Sequence, residues 1–462
     1  MGTLGRSVRA AALAATTVVA LTAPAGAETI TETLSDTYRN SGLIDRNRAV
    51  LRAADEDVAQ ALSALRPQIG YAVDALYREG AVLQEGLTAS LTLSLDLTLY
   101  DFGRNALAVE TQKELVLATR QALLRVEGEA LALAVTAFFD VREAFETVAL
   151  RESNVRLITQ ELRAAEDRFD VGEVTRTDVA IAQSRLAAAR ASLATAQGDL
   201  SIAVASFRQS VGRAPGNLRQ PTRLPAIPRS VAEAKAIARR ASPEILQVRH
   251  EITAAELGLE RAKRALRPTL SGSAQTSFDL GEGQDLARSS NFGLRLSGPI
   301  SQGGRLNSII RQAQASVDQS RADLLLATLA TDQAVDNAYA QLAVARASLV
   351  ASDEQIRAAT VAFRGVREEA TLGARTTLDV LDAEQELLDA RAARVTAAAS
   401  EFRAVYGILQ ATGQLTAQAL ALPVQLYDPA GYYDLVRNAP QYLPNSEAGA
   451  RLDRVLESLG KN

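Results

Sequence analysis

The chain has 462 residues, 47% hydrophobic and 23% charged, with a net charge of −4. That balance excludes a disordered or collagen-like chain, and the acidic charge without a basic stripe excludes a nucleic-acid binder. There is no Cys or Trp, one His and one Met, so disulfides, cysteine-ligated zinc and thiol nucleophiles are excluded. A Ser-His-Asp triad would need His250, which sits in a charge-rich helical stretch and reads as a surface residue. The expectation is a protein without catalytic residues, cofactor or metal site.

Residues 1–27 read as a secretory signal peptide. Arg6 and Arg9 form a basic start, residues 10–22 a short apolar run, and Ala25-Gly26-Ala27 a small-residue cleavage site. No later stretch is apolar enough for a spanning helix, so an exported chain could enter a membrane only as strands.

A single offset of 201 residues then pairs landmarks along the rest of the chain. Arg66-Pro67 pairs with Arg267-Pro268, Gly103-Arg104 with Gly304-Arg305, Gly172 with Gly373, and Asp178-Val179 with Asp379-Val380. Ser41-Gly42 falls on Ser242-Pro243. The paired Gly and Pro lie outside the helical stretches, so the repeat is structural and not a shared Ala/Leu composition. One unit occupies 28–220 and its copy 230–425, joined by a linker at 221–229 and followed by a Pro-containing tail at 426–462 that reads as irregular or periplasmic.

Each copy begins with a helix, 31–65 and 231–266, stopped by Pro67 or Pro268. Strands are expected at 68–77 and 87–100, and again at 269–280 and 291–301, from alternation of apolar with polar residues such as Leu91, Leu93, Leu95 and Leu97 against Thr92, Ser94 and Asp96. Their lengths suit a transmembrane β-strand or a soluble hairpin alike. Long helices follow at 105–168 and 305–369, each spanning on the order of 96 Å, with little Gly and no Pro to interrupt them. Such lengths imply coiled-coil or tubular packing. Val171-Gly172-Glu173 and Leu372-Gly373-Ala374 form turns. Thr175 with Asp178, and Thr376 with Asp379, then have capping-box spacing for return helices at 178–210 and 379–412.

The strands of one chain are too few to close a barrel, and an open edge cannot stand in lipid. Three chains would give a number of strands within the range of outer-membrane barrels. The alternative is an exported periplasmic coiled-coil adaptor or structural protein with no membrane barrel.

The duplicated helix–hairpin–helix unit resembles the TolC-type outer-membrane efflux proteins. The most specific stretches are RFDVGEVTRTDVAIAQSRLAAAR from Arg168 and LGARTTLDVLDAEQELLDAR from Leu372, supported by LYDFGR and GPISQGGR at the strand-to-helix junctions. The resemblance implies a mainly α fold with transmembrane β: a homotrimer whose twelve-stranded barrel in outer-membrane lipid continues into a periplasmic α-helical barrel. It implies a passive exit duct for drugs or secreted proteins, with a periplasmic adaptor and an inner-membrane transporter as partners.

It also implies roles for particular residues. Val171, Gly172, Glu173, Leu372, Gly373 and Ala374 match the tips that face the adaptor. Arg375 matches an Arg that bridges to residues matching Thr177 and Asp178 and closes the periplasmic end. The family's tyrosine in the same turn falls at Ala370, so that link is expected to be absent or rearranged. Asp379 and Asp382 match the constriction carboxylates. They lie one turn apart on one helix face, and in a trimer each would form a ring favouring cations. For Asp379 a capping role is equally open and compatible.

Overall fold

The computed structural model describes residues 28–79, 86–221, 223–281, 287–438 and 454; the expected signal peptide lies outside them. In chain order the first copy comprises α1 (Ile30–Asn40), α2 (Gly42–Ser63), β1 (Gln68–Arg78), β2 (Gly86–Tyr100), α3 (Arg104–Asp170) and α4 (Arg176–Val211). The second comprises α5 (Val231–Ala241), α6 (Pro243–Arg264), β3 (Thr269–Gly281), β4 (Ala287–Ser297), α7 (Arg305–Thr371) and α8 (Thr377–Ala411), and α9 (Gly431–Val436) lies in the tail.

Three expectations are corrected. The helix beginning each copy is two helices. Ser41 and Ser242 are extended, at φ −71°, ψ 112° and φ −61°, ψ 122°, and each closes the preceding helix with its N–H. In the second copy Pro243 occupies the first turn of α6, where its missing N–H costs nothing, and it holds Ser242 out of the helical region. The last strand is Ala287–Ser297 and not 291–301. It pairs with β3 from Asp279↔Ala287 to Thr269↔Ser297, and Pro299 beyond it has no N–H to donate. The tail is not wholly irregular: α9 docks on α2, and the Tyr432 hydroxyl donates to Glu56 at 2.6 Å.

The strands form one antiparallel sheet in the order β1-β2-β3-β4, so the two hairpins are joined by β2–β3 pairing across the repeat. Among the described residues the outer edges of β1 and β4 are unpaired. Apolar side chains on these strands stand in the open: Tyr71 is 80% exposed and Phe292 82%.

From the sheet the chain passes directly into α3 and α7, each 67 residues, which at 1.5 Å per residue is about 100 Å. Helix α3 runs along α4, and α7 along α8, while α8 also lies against α3. Small residues line these seams, among them Ala182, Ala189, Ala390 and Ala397, so the helices approach closely. The largest core lies midway, where Leu131, Phe138 and Phe139 of α3 meet Leu34 of α1, Phe207 of α4 and Leu409 of α8. Phe139 stacks on Phe402 with ring centroids 4.9 Å apart. Leu415, Ala417 and Leu422, beyond α8, close this core. The Ala417 N–H donates to the buried Glu127 of α3 at 2.6 Å. The middle is therefore the densely packed anchor from which the far ends of the long helices project.

Candidate functional site

The far ends are two helical hairpins. Helix α3 stops in a Schellman turn: Glu173 N–H bonds the Arg168 carbonyl at 2.9 Å and Gly172 N–H the Phe169 carbonyl at 2.9 Å. Helix α7 repeats it through Ala374 to Glu369 at 2.9 Å and Gly373 to Ala370 at 3.1 Å. Both turns require a left-handed residue, and Gly172 and Gly373 supply it at φ 81° and 78°. The residues beside them point outward, with Val171 71% and Leu372 84% exposed. Glu173 and Ala374 are exposed as well.

The return helices start on reciprocal capping boxes. Thr175 N–H and hydroxyl donate to Asp178 Oδ2 at 2.9 and 2.7 Å, and Asp178 N–H returns to Thr175 Oγ1 at 3.4 Å. Thr376 N–H and hydroxyl each donate to Asp379 Oδ2 at 2.9 Å, with Asp379 N–H to Thr376 Oγ1 at 3.3 Å. The hydrogen bonds from Thr175 hold the Asp178 carboxyl below the usual range. The Thr376 N–H, with the Thr376 hydroxyl and Arg375 adding to it, does the same for Asp379. Both remain charged at the helix N-terminus, where a negative charge is favoured.

Arg375 does not meet Thr177 or Asp178 within the chain. Its Nε pairs with Glu369 at 2.9 Å across its own turn, and Thr177 is exposed. Asp382, one turn beyond Asp379, is engaged: Arg185 of α4 donates to its Oδ1 at 2.6 Å. Ala370, where the family tyrosine would stand, is buried.

Toward the tips, three contacts that sequence reasoning missed tie the α3–α4 hairpin to α7–α8. These are Arg185–Asp382, Arg367–Glu161 at 3.6 Å, and Asn154 donating to Glu384 at 2.8 Å. Beneath them Ala182 and Leu186 of α4 and Ile158 of α3 pack on Leu381 of α8. The repeat gave no signal for these links, because the offset places Ile181 opposite Asp382, Gln183 opposite Glu384 and Glu386 opposite Arg185.

The other candidate chemistry resolves into structure. His250 Nδ1 lies 2.8 Å from Glu114 Oε2, tying α6 to α3. Among the described residues no group of three or more His, Asp or Glu is placed to hold a metal ion, and no helix is long and apolar enough to cross a membrane.

The comparisons agree with this architecture. The family model described as outer membrane efflux protein matches residues 34–213 and 236–414, one match per copy. The outer membrane efflux protein BepC of Brucella suis biovar 1 (strain 1330) is 36% identical over 417 residues, covering 89% of this chain and 91% of that protein. TolC of Escherichia coli (strain K12) is 26% identical over 383 residues, 78% of each chain. The crystal structure of the Campylobacter jejuni CmeC outer membrane channel superposes with a TM-score of 0.76 at 14% identity, covering 89% of this chain and 90% of that one. The repeated unit, the shared sheet and the match across both copies set aside an adaptor without a barrel, and the chain belongs to the outer membrane efflux protein family.

Proposed function

We propose that three copies assemble into a passive exit duct through the outer membrane. Their sheets would join β4 to β1 of the neighbour in a twelve-stranded barrel, and their long helices would form a tube in the periplasm. The observation that carries this reading is the open sheet. Among the described residues it has two unpaired edges and an exposed apolar surface, and such edges are tolerated in lipid only when a closed barrel pairs them. Exposed apolar residues on the long helices, including Leu326 and Val361 of α7 and Phe145 of α3, supply the surfaces through which neighbours would pack.

The tips at Val171–Glu173 and Leu372–Ala374 are the docking points for a periplasmic adaptor that couples the duct to an inner-membrane transporter. Asp379 and Asp382 form the constriction, and Arg375 with Thr177 and Asp178 of a neighbour closes it. Cargo of either class, small molecules or secreted proteins, would pass without chemistry. The test is purification and planar-bilayer recording: the protein should need detergent, run as a trimer and form cation-favouring pores, whereas a soluble, non-conducting monomer would overturn the reading. Cysteine crosslinking from positions 171 and 372 in cells would capture the adaptor.

A further inference from the structure

Glu384 is an ionisable side chain buried inside the tip. It is 4% exposed and lies two residues along α8 beyond Asp382. Its Oε1 accepts from Asn154 Nδ2 of α3 at 2.8 Å, and its Oε2, also buried, has no hydrogen-bond partner among the described residues. A buried carboxylate with one oxygen unpaired is strongly disfavoured, whereas the neutral acid is tolerated there. A cleft of about 390 Å³, lined by Leu150, Phe363, Leu387 and Leu388 among others, opens beside it.

The charged groups around it do not relieve this. From α3, Glu161 adds like charge, and it is paired with Arg367 of α7 at 3.6 Å. Arg367 opposes it only weakly, and Arg364 of α7 and Arg391 of α8 line the cleft without bonding Oε2. From α4, Arg185 is committed to Asp382.

We propose that Glu384 is a proton-operated latch of the closed tip: protonated and neutral, it stays buried with α8 packed against α3; deprotonated, its buried charge loosens that seam. The proposal rests on the reading of these tips as the gate. Burial pushes the Glu384 carboxyl up to about 7, with Asn154 opposing the rise. The packed tip therefore holds its proton more tightly than an open one, in which the residue meets water. Its packing is most stable in acid and is lost progressively as pH rises toward 7. Glu384 is thus a positioning residue, acting on the constriction through α8.

The test is conductance of the full-chain trimer in planar bilayers from about pH 4 to pH 9, a range bracketing free and buried carboxylates. The wild type should pass from a low to a higher conductance as pH rises from the free carboxylate value toward 7, and change little beyond it. Glu384→Gln, isosteric and permanently neutral, should stay at the low level across the range. Asn154→Ala removes the donor that favours the charged form and should move the midpoint to higher pH. A Glu384→Gln profile that titrates like wild type, or an Asn154→Ala midpoint that does not move, overturns the latch. Arg375→Ser separates the two readings. If it raises conductance while Glu384→Gln titrates normally, the latch fails and the gate stands; if neither variant changes anything, both fail.

Discussion

Arg185 on α4 and Asp382 on α8 meet at 2.6 Å across the seam between the two helical hairpins, 197 residues apart in sequence. The pair gives Asp382 a counter-charge within its own chain, so the two carboxylates proposed for the constriction are unequal: Asp379 is spent on its helix cap and Asp382 on α4. Both side chains are about half exposed, which limits the pair to about 1 kcal/mol or less. Arg185→Ala should leave the trimer's melting temperature nearly unchanged while strengthening block by multivalent cations, because each Asp382 then faces the pore unneutralised. Unaltered block would show that Asp382 does not face the conduction path.

Arg375 shares its turn with Glu369 at 2.9 Å and is exposed. A bridge to a neighbour's Thr177 and Asp178 would compete with this local pair, and Ala370 offers no phenol to reinforce it. The closed state should therefore be shallow, and Arg375→Ser should raise single-channel conductance. Glu369→Gln should have the opposite effect, since it frees Arg375 for its neighbour. If Glu369→Gln also opened the channel, the competition would be refuted.

Asp379 keeps its charge through the hydrogen bonds from Thr376, which hold its carboxyl below the usual range. Asp379→Asn plus Asp382→Asn should weaken multivalent-cation block while leaving the fold intact, since Asn also caps helices well. Thr376→Ala is the control for the structural half of the role. It should cost about 1 kcal/mol of local helix stability, seen as faster amide exchange in the first turn of α8. Equal block in the double variant and the wild type would confine Asp379 to capping.

The features that could be read ahead of the structure are those written locally. The repeat marked its punctuation at Gly172 and Gly373, and the spacing from Thr175 to Asp178 and from Thr376 to Asp379 named the caps. The alternation from Leu87 to Leu99 named a strand. Ser41 and Ser242 pair as landmarks, yet the sequence does not disclose their helix breaks, because an extended Ser between two helical stretches leaves the apolar periodicity almost intact. Arg185, Asn154 and Glu384 were invisible for a different reason. Their partners lie on another hairpin, and neither repeat nor period carries that information. The tail misled through its prolines: its tyrosines find partners on α2 and α3 that composition does not disclose.

Those tyrosines lie around another buried acid, and its pH response can be worked out. Asp55 of α2 is fully buried and neither carboxylate oxygen has a hydrogen-bond partner among the described residues. Tyr432 bonds the adjacent Glu56, and Arg120 of α3 stacks over Tyr433 with its guanidinium carbon 5.3 Å from the ring centroid. Burial raises the Asp55 carboxyl to about 6, with Arg120 opposing and Glu56 adding to the rise. Unfolded, the group titrates near 3.9, so between these values the folded chain binds the proton that the unfolded chain releases. Stability is therefore greatest in acid and falls as pH rises through this window, then levels off. Asp55→Asn removes the titration. It should gain on the order of 1–2 kcal/mol over wild type at neutral pH and almost nothing near pH 4, the neutral Asp and Asn then being nearly equivalent. Arg120 keeps its tyrosine ring in the variant, so the loss of its counter-charge is partly offset. Melting curves of the detergent-solubilised protein at the two pH values decide it: a gain of equal size at both would assign the effect to packing and not to the buried charge.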